Sequence, residues 1–526
     1  MNPNGNGQLH RSERARGPLV VLAPLSIEAR AIRSSLPGVL VIQTGLGRKR
    51  STRAVLGGLP KPADEVLANA GAVAVAGFCG ALDPTLRPGD LVVATQIHGP
   101  EGVTPCHSAG ILAATLADIG LTARLGPLVS TDHLVEGPER IRLAEQTGAI
   151  AVDMESAWLA AAAGDRPLAV LRVVVDTPRR ELKGNPLATA RGGVRAYRSL
   201  MKAAPALASW AEAAGPRTIL LAAPRSFCAG VERAIEIVER ALDRYGPPVY
   251  VRKQIVHNVH VVRDLERRGA VFVESAEEVP EEATVVFSAH GVSPEVRAQA
   301  RARKLHVIDA TCPLVTKVHT EARRFASSEY TIFLIGHEGH EEVEGTTGEA
   351  ARAIRLIQKV EDVDDLEVED PTQVAFLSQT TLAVDEVNEV VDALRDRFPS
   401  LTGPGSADIC YATQNRQDAV KVLARECDLL LVIGSENSSN SKRLVEVAER
   451  EGCRAALIDD ETGILPAWLV GTETVGVTAG ASAPEVLVDR VLEALAGLGP
   501  VTVQERHVTT ESVRFTLPVE LRSQRG

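Results

Sequence analysis

The N-terminal part of the chain alternates between short apolar runs and longer stretches in which apolar residues recur every three or four positions. The apolar runs, each the length of a single buried strand, lie at residues 19–23, 39–43, 72–76, 91–94, 149–152 and 168–174. Helical spacing is clearest over residues 26–36 and over a long stretch from about 190 to 213. Because strands and helices alternate, this part predicts an α/β sandwich with a mostly parallel sheet.

A break in the pattern at Gly215–Pro216 predicts a domain boundary, since glycine and proline interrupt regular structure. A new series of strand–helix units begins directly after it. We therefore expect one domain over residues 18–214 and a second domain over residues 216–517. The polar residues 1–17, rich in glycine and asparagine, are predicted to be disordered, and residues 518–526 to form a C-terminal tail.

Three cysteines of the second part lie where a predicted strand turns into a predicted helix. Cys228 follows an apolar run, and Cys312 precedes Pro313, which is favoured at the first position of a helix. Cys410 lies just ahead of a helix predicted to begin near Thr413. The free N–H groups at a helix N-terminus are expected to lower a thiol pKa and favour the thiolate. A spacing of roughly 80 to 100 residues predicts three similar subdomains that converge on one centre.

Three thiolates from separate subdomains suit a metal centre that keeps one position open. Zinc is one alternative, although structural zinc sites usually bring their ligands in closely spaced pairs. Iron–sulfur clusters are held by thiolates, and a cluster with three cysteine ligands leaves one iron for a substrate. The remaining hypothesis is an inert buried cysteine, which is our prediction for Cys427 and Cys453 because neither follows the strand-to-helix pattern.

Polar side chains that suit an anion also lie at predicted strand ends of the second part. They are imidazoles, hydroxyl groups and amides in the segments 256–258, 287–292, 336–345, 379–381, 435–441 and 478–484. In α/β folds, ligand sites form outside the carboxyl ends of the strands, so these segments are expected on one side of the sheets. Together with helix N-termini, such groups are suited to a diphosphate.

Composition narrows the class of protein. With 526 residues, 45% hydrophobic and 24% charged, the chain predicts a soluble globular protein of several domains. The net charge of -11 argues against nucleic acid as a main partner. No apolar run reaches the length of about 20 residues that a membrane span needs. Seven cysteines without a CxxC pair are too few for a disulfide scaffold, which favours a reducing, cytoplasmic location.

The second part, from about residue 217 to 517, closely resembles the 4-hydroxy-3-methylbut-2-enyl diphosphate reductase family, which acts last in the methylerythritol phosphate route to isoprenoids. The resemblance is carried by the segments 227–231, 256–258, 288–292, 309–319, 339–345, 378–382, 408–413, 437–441 and 477–484. None of these segments departs from the family pattern at a site position.

This resemblance implies three α/β subdomains around a [4Fe–4S] cluster held by Cys228, Cys312 and Cys410. It implies diphosphate contacts from His257, His290, His340, Ser438, Ser439, Asn440 and Ser482. Glu342 matches the family's proton source, and Thr380 matches the residue beside the substrate hydroxyl. Two electrons, delivered singly by reduced ferredoxin or flavodoxin, would convert the substrate to isopentenyl or dimethylallyl diphosphate with loss of water.

The first part, from about residue 18 to 213, resembles the purine nucleoside phosphorylase and nucleosidase superfamily. The matching segments are 23–30, 44–47, 76–90, 151–156 and 172–178, and they are most similar to the branch that removes adenine from adenosylhopane. The resemblance implies a three-layer α/β/α fold in which Met154 and Glu155 hold the ribose hydroxyls. Asp176 would protonate purine N7, which makes adenine a better leaving group, and Glu28 would stand where nucleosidases keep a water-activating base.

Two alternatives to this interpretation stay open. The first part lacks an obvious aromatic residue to stack on the base, and its segment 77–80 departs from the more usual glycine-rich form, so this domain could be catalytically inactive. Alternatively, the whole chain could be a cluster-bearing or zinc-bearing sensor that binds isoprenoid diphosphates without converting them.

Overall fold

The computed structural model of the chain describes residues 17–58, 61–179, 181 and 186–522, which divide into two compact units. Unit 1 extends to Arg217 and also includes the later segments Glu461–Gly471 and Val491–Val501. Unit 2 comprises Thr218–Asp460, Thr472–Arg490 and the chain from Thr502 onward. The predicted disordered N-terminus, apart from Gly17, and residues 523–526 of the predicted tail lie outside the described residues.

Unit 1 is built around one mixed sheet. Its strands are β1 (Leu19–Ala23), β2 (Leu40–Gln43), β3 (Ala72–Ala81), β4 (Leu91–Gly99), β5 (Gly102–Pro105), β6 (Ala123–Ser130), β7 (Ala151–Asp153) and β8 (Leu168–Asp176). Its helices are α1 (Ser26–Ser35), α2 (Arg48–Val55), α3 (Lys61–Ala68), α4 (Ala109–Asp118), α5 (Pro138–Thr147), α6 (Ser156–Ala160), α7 (Pro186–Ala203) and α8 (Pro205–Glu212).

The strand order is β2-β1-β3-β7-β6-β4-β5, and β8 pairs with both β3 and β4, so five strands close into a ring. Strands β3 and β8 are buried along nearly their whole length, which explains why their sequences are continuously apolar. The predicted α/β class is confirmed. The single long helix expected over residues 190–213 is instead two helices, because Pro205 cannot continue the helical hydrogen-bond pattern and begins α8.

Unit 2 contains most of the later elements. The strands are β9 (Arg217–Ala223), β10 (Val249–Arg252), β11 (Ala270–Val273), β12 (Thr284–Phe287), β13 (His306–Asp309), β14 (Thr331–Ile335), β15 (Ile354–Ile357), β16 (Val374–Ser378), β17 (Leu429–Ile433), β18 (Arg454–Ile458), β19 (Thr474–Ala479) and β20 (Val501–His507). The helices are α9 (Ala229–Tyr245), α10 (Val259–Arg267), α11 (Pro294–Ala302), α12 (Pro313–Ser327), α13 (Glu341–Glu349), α14 (Val384–Arg397), α15 (Tyr411–Ala424), α16 (Ser439–Arg450), α17 (Pro466–Leu469) and α18 (Glu485–Ala496). Of these, α17 and the end of α18 belong to unit 1.

Three separate sheets organise unit 2, in the strand orders β11-β10-β12-β13, β15-β14-β16 and β18-β17-β19-β9-β20. The first two are parallel throughout, and the third is parallel from β18 to β9. The three α/β subdomains expected from the sequence are thus present. Since each sheet is parallel, the turns that follow its strands lie at one edge, which is where ligand-binding groups can gather.

Each sheet of unit 2 has its own small core of Val, Leu, Ile and Ala side chains. Within the predicted C-terminal tail, residues Val519–Leu521 form a 3₁₀ turn. The side chain of Leu521 is buried in the core that includes Ile237 and Val251. Among the described residues, no helix is both long and apolar enough to cross a membrane.

The core of unit 1 is completed by its two later segments. The side chains of Ile464, Leu469, Leu495 and Leu498 are fully buried, and α17 packs on α4 and α8. The backbone N–H of Gly215 donates to the carbonyl of Leu498 at 2.8 Å. The predicted domain boundary at Gly215–Pro216 therefore lies close to Arg217, where the first segment of unit 1 ends. Unit 1 is nevertheless not one continuous stretch of chain, because it also includes two later segments.

We expect a chain that begins at Arg217 to be less stable than the full chain. The segments Glu461–Gly471 and Val491–Val501 would lose the core that they complete, and burial of one large aliphatic side chain is worth ~1.5–3 kcal/mol. Thermal unfolding of the two chains measures the difference.

Leu469→Ala provides a matched control for this prediction. In the full chain, removing this buried side chain should cost about 2–5 kcal/mol. In the shortened chain, where Leu469 has lost its surroundings, the same substitution should cost little. An equal loss in both chains would contradict the assignment of this segment to unit 1.

Candidate functional site

The strand-end turns of unit 2 surround a cavity of about 110 Å³. Every site residue that the sequence predicted for this part lines the cavity. These residues are Cys228, Cys312, Cys410, His257, His290, His340, Glu342, Thr380, Ser438, Ser439, Asn440 and Ser482. These residues are distributed over more than 250 positions of the chain. The structure thus brings the whole set together, whereas the role of each residue stays a prediction.

Each of the three cysteines is the N-cap residue of a helix, Cys228 of α9, Cys312 of α12 and Cys410 of α15. The sulfurs of two different turns approach each other above Gly230. A β-carbon at Gly230 would lie 2.8 Å from Sγ of Cys312 and 3.8 Å from Sγ of Cys228. Only glycine therefore leaves room for both thiols at this point of the cavity wall.

The expectation that the helix N-termini lower the thiol pKa values is wrong for the protein without a bound metal. Burial raises the pKa of Cys228, that of Cys312 to about 12 and that of Cys410 to about 11. The Arg416 guanidinium at Cys228, the Thr413 hydroxyl at Cys410 and backbone N–H groups at all three cysteines act in the opposite direction, but their effect is smaller than the cost of desolvating a thiolate. Such thiols would release their protons when a metal cation binds in their place. Three sulfur donors in one cavity therefore fit a thiolate-ligated metal centre.

Three imidazoles form the part of the cavity wall next to the cysteines. The rings of His257 and His290 stack at 4.1 Å with an angle of 17° between their planes. His340 meets both rings edge-on, at 5.7 and 6.0 Å. Burial lowers the pKa of His257 to about 2 and that of His340 to about 4, so both are neutral. Nδ1 of His340 accepts the N–H of Glu342 at 3.2 Å, which leaves Nε2–H as its free donor.

A metal ion held by histidines is a further possibility that the geometry tests. One ligand atom each from His257, His290 and Glu341 lies within 4.8 Å of the others. A ligating imidazole points its lone pair in the plane of its ring at a metal about 2.0–2.1 Å away. The stacked rings have nearly parallel planes, so their lone pairs do not converge on one ion. This trio is therefore better suited to an anion than to a metal.

Glu342 and Thr380 form a buried pair in the same cavity. The Oε1 atom of Glu342 accepts the backbone N–H of Thr380 at 2.7 Å, and its Oε2 atom accepts the Thr380 hydroxyl at 3.0 Å. Burial raises the pKa of Glu342 to about 7, although these hydrogen bonds act against the shift. A carboxyl group with this pKa can hold and release a proton near neutral pH.

Hydroxyl and amide groups complete the polar wall at the N-terminus of α16. Ser438 caps this helix by accepting the N–H of Ser441 at 3.3 Å. Oδ1 of Asn440 accepts the N–H of Ala481 at 2.9 Å, and its amide nitrogen donates to the Thr413 hydroxyl at 3.4 Å. Among the described residues that line the cavity there is no lysine or arginine. An anion here would depend on N–H groups, hydroxyls and helix N-termini.

The chain after β20 supplies a wall residue that the sequence did not suggest. Phe515 lines the cavity beside the cysteines. A little earlier, Glu511 accepts a hydrogen bond from the buried Arg416 at 2.9 Å. Arg416 in turn donates to the carbonyl of Ser226 at 2.7 Å, two residues before Cys228. No local motif indicates these contacts, because they join residues 95 and 190 positions apart in the chain.

Cys427 and Cys453 lie elsewhere, in the core of the third sheet. Their sulfurs are 3.7 Å apart and both thiols are free. Neither lines the cavity of the other three cysteines.

Unit 1 has a second cavity, of about 290 Å³, at which Glu28, Met154, Glu155 and Asp176 meet. Glu28 accepts the backbone N–H groups of Leu25 at 2.6 Å and Phe78 at 2.7 Å. Burial raises the pKa of Glu28 to about 7. Phe78 itself lines the cavity, so an aromatic side chain is present there even though the sequence offered no obvious one to stack on the base.

Two buried arginines accompany the carboxylates of this second cavity. Arg140 forms an ion pair with Asp176, and Arg172 forms one with Asp153 at 2.6 Å. Burial raises the pKa of Asp176, and the Arg140 guanidinium opposes that shift. Sequence reasoning missed Arg140, because it comes from α5, 36 positions before its partner.

Comparison with known proteins gives two family matches and several relatives. The LytB protein family matches residues 219–496, and the phosphorylase superfamily matches residues 38–192. A 4-hydroxy-3-methylbut-2-enyl diphosphate reductase of Mycolicibacterium paratuberculosis is 61% identical over 310 residues, 59% of this chain and 93% of the relative.

Two solved structures resemble the two parts. The E-1-hydroxy-2-methyl-but-2-enyl-4-diphosphate reductase of Plasmodium falciparum is similar with a TM-score of 0.56 and 36% identity, over 58% of this chain and 97% of that one. A 5'-methylthioadenosine/S-adenosyl homocysteine nucleosidase of Helicobacter pylori gives a TM-score of 0.31 and 20% identity, over 37% of this chain and 97% of that one.

Since the LytB match spans more than half of the residues, and since a reductase relative is covered almost completely at 61% identity, the chain belongs to the LytB family, with a phosphorylase superfamily domain in its N-terminal part.

Proposed function

We propose that unit 2 reduces (E)-4-hydroxy-3-methylbut-2-enyl diphosphate to isopentenyl diphosphate and dimethylallyl diphosphate. The observation that carries the proposal is the single cavity in which three cysteines, three histidines and the Glu342–Thr380 pair meet. Membership of the LytB family supports the same reaction. The overall change is the loss of one hydroxyl group as water, with uptake of two electrons and two protons.

In this proposal Cys228, Cys312 and Cys410 hold a [4Fe–4S] cluster, since they are the three sulfur donors of the cavity. When bound, such a cluster supplies electrons one at a time and one Lewis-acidic iron. Reduced ferredoxin or flavodoxin would provide the electrons. The alternative of a diphosphate sensor is less favoured, because a binding protein has no need of a buried, protonatable carboxyl group beside the cysteines.

The diphosphate would be held by His257, His290, His340, Ser438, Ser439, Asn440 and Ser482. The N-terminus of α16 offers free N–H groups and a positive dipole end to the phosphate oxygens. Neutral imidazoles contribute N–H donors without the cost of burying extra charge. This arrangement binds an anion without any lysine or arginine in the described cavity wall.

Glu342 would deliver the proton that turns the hydroxyl into a leaving group. Near neutral pH it holds a proton, because burial raises its pKa to about 7. The Thr380 hydroxyl, 3.0 Å from Oε2 of Glu342, would lie next to the substrate hydroxyl and pass the proton on. The carbon–oxygen bond then breaks, water leaves with this proton, and the carbon skeleton takes up two electrons and a second proton.

The first prediction for this function concerns the cysteines. Protein purified without oxygen should contain about four irons and four sulfides per chain, as expected for a [4Fe–4S] cluster. Replacement of Cys228, Cys312 or Cys410 by serine should abolish turnover and reduce the iron content, because each removes one ligand. Cys427→Ser and Cys453→Ser are the controls, since neither residue lines the cavity. Loss of cluster in a control but not in the other three would refute the ligand assignment.

A second prediction separates proton delivery from binding. Glu342→Gln keeps the shape of the side chain but cannot release a proton, so turnover should fall about 10²- to 10⁴-fold. Substrate binding, followed by the spectrum of the oxidised protein, should persist. The wild-type rate should fall as the pH rises through about 7, because only the protonated form of Glu342 donates.

The control for this variant is Glu344→Gln in the same helix. Glu344 is paired with Lys253 at 3.0 Å and does not line the cavity. The Glu344→Gln variant should therefore reduce the substrate at the wild-type rate. Near-normal turnover in Glu342→Gln would exclude this residue as the proton source.

For unit 1 we propose a second activity, the hydrolysis of an adenine nucleoside such as adenosylhopane. Its support is the cavity that joins Glu28, Met154, Glu155 and Asp176 with the ring of Phe78. Glu28, with a pKa of about 7, can accept a proton from water. Met154 and Glu155 would hold the ribose hydroxyls, and Asp176 would assist departure of adenine at N7. The alternative is a domain that keeps the fold without the activity.

The test for unit 1 uses the full chain and a set of adenosine derivatives with apolar 5′ substituents. We expect release of adenine, followed by chromatography, and its loss in Asp176→Asn. Asp118→Asn is the control, because Asp118 is exposed and does not line the cavity. If a correctly folded chain releases adenine from none of these compounds, the domain is inactive as a nucleosidase.

A further inference from the structure

The hydroxyl group of Thr413 is directed at the sulfur of a cysteine. Thr413 lies in the first turn of α15, and Cys410 is the N-cap residue of this helix. The Oγ1 atom of Thr413 lies 3.0 Å from Sγ of Cys410, and the backbone N–H of Thr413 donates to the same sulfur at 3.3 Å. The Thr413 side chain is 1% exposed, so bulk water does not compete for either contact.

Other helical threonines of the chain direct their hydroxyl groups differently. In a helix, a threonine hydroxyl can donate to the carbonyl four residues earlier. Thr115 donates to Ile111 in this way at 2.8 Å, and Thr316 donates to Cys312 at 3.2 Å. Thr413 instead turns its hydroxyl toward a sulfur atom, so helix geometry alone does not account for this contact.

A neighbouring amide determines the direction of the hydrogen bond. The backbone N–H of Ala481 can only donate, so the atom of Asn440 that faces it at 2.9 Å is the amide oxygen. The amide nitrogen of Asn440 therefore donates to Oγ1 of Thr413, at 3.4 Å. Since Oγ1 accepts from this side, its own proton is free for the sulfur of Cys410. A cysteine that ligates a metal is a thiolate without a proton, so its sulfur can only accept.

This contact distinguishes Cys410 from the other two cysteines of the cavity. Backbone N–H groups at the start of each helix stabilise all three thiolates. Among the described residues, a side-chain hydroxyl adds to these groups only at Cys410. The three sulfur donors are therefore not equivalent, although each belongs to the N-cap residue of its own helix.

We infer that Thr413 is a positioning residue whose hydroxyl donates a hydrogen bond to the metal-bound Sγ of Cys410 and thereby raises the reduction potential of the proposed cluster. A hydrogen bond to the sulfur stabilises negative charge on the ligand, so the reduced state gains more from it than the oxidised state. Hydrogen bonds to the sulfurs are among the factors that set iron–sulfur potentials. The inference rests on the proposed function, in which Cys410 is a cluster ligand.

The test measures the midpoint potential by a spectroscopic redox titration of full-length chains purified without oxygen. Thr413→Val keeps the shape of the side chain but removes the hydroxyl, so the sulfur loses one donor. We expect the equilibrium constant for one-electron reduction to fall about ten-fold, which lowers the potential by about 59 mV. Thr413→Ser keeps the hydroxyl and should retain a potential close to that of the wild type.

Thr316→Val is the matched control. Thr316 lies near the start of α12, four residues after Cys312, but its hydroxyl donates to a carbonyl and it does not line the cavity. This variant should leave the potential unchanged. If Thr413→Val does not fold, Thr413→Ala and Thr413→Ser supply the same comparison, because these two variants differ only in the hydroxyl.

Vibrational spectroscopy gives a second readout, which does not depend on turnover. Exchange of water for deuterium oxide replaces the hydroxyl proton, and the iron–sulfur stretching bands shift when that proton is hydrogen-bonded to a ligand sulfur. The shift should be larger in the wild type and in Thr413→Ser than in Thr413→Val.

Equal potentials in Thr413→Val and the wild type would overturn the inference. A potential in Thr413→Ser as low as that in Thr413→Val would overturn it as well, because packing of the methyl group would then be responsible. If iron and sulfide analysis finds no cluster in the wild type, the proposed function fails and the inference fails with it. A wild type that holds the cluster but does not reduce the substrate refutes the proposed function alone, since the comparison of potentials still decides the inference.

Discussion

Burial of three thiols in the wall of one cavity is the constraint on which the rest of unit 2 depends. Each thiol resists ionisation in this environment, and the sulfurs of Cys228 and Cys312 share a space that only Gly230 leaves open. Strand β9 of the third sheet leads into Cys228 and α9, whereas β13 of the first sheet leads into Cys312 and α12. The thiols therefore meet only when the subdomains assemble.

The same low-dielectric cavity determines how an anion can be held. A lysine or arginine buried in the cavity wall itself would need an anionic partner of its own. Hydroxyls, amides and neutral imidazoles avoid this cost, and the start of α16 adds a dipole.

Much of this site could be predicted from the sequence, since most of its cysteines, histidines and hydroxyls stand at strand ends that local apolar runs reveal. The strand expected before Cys410 is absent among the described residues, and irregular chain leads from α14 to this residue. Phe515 and Arg140 could not be predicted, because their importance depends on which distant segment each one meets. The sign of the thiol pKa shifts was also wrong. A helix terminus can be recognised locally, but the burial that outweighs it is a property of the assembled subdomains. For the same reason no pattern indicated that residues 461–471 complete unit 1.

In each of the two cavities, burial gives one glutamate a pKa near neutral pH. Glu28 and Glu342 are each buried and each accept a backbone N–H at 2.7 Å or less, and burial raises both pKa values from 4.5 to about 7. Because the pKa is higher in the folded state, proton binding favours folding. That contribution is complete below about pH 4.5 and declines as the pH rises through about 7. A carboxyl group poised for proton transfer therefore reduces stability in the pH range in which it acts, and the backbone hydrogen bonds limit that loss.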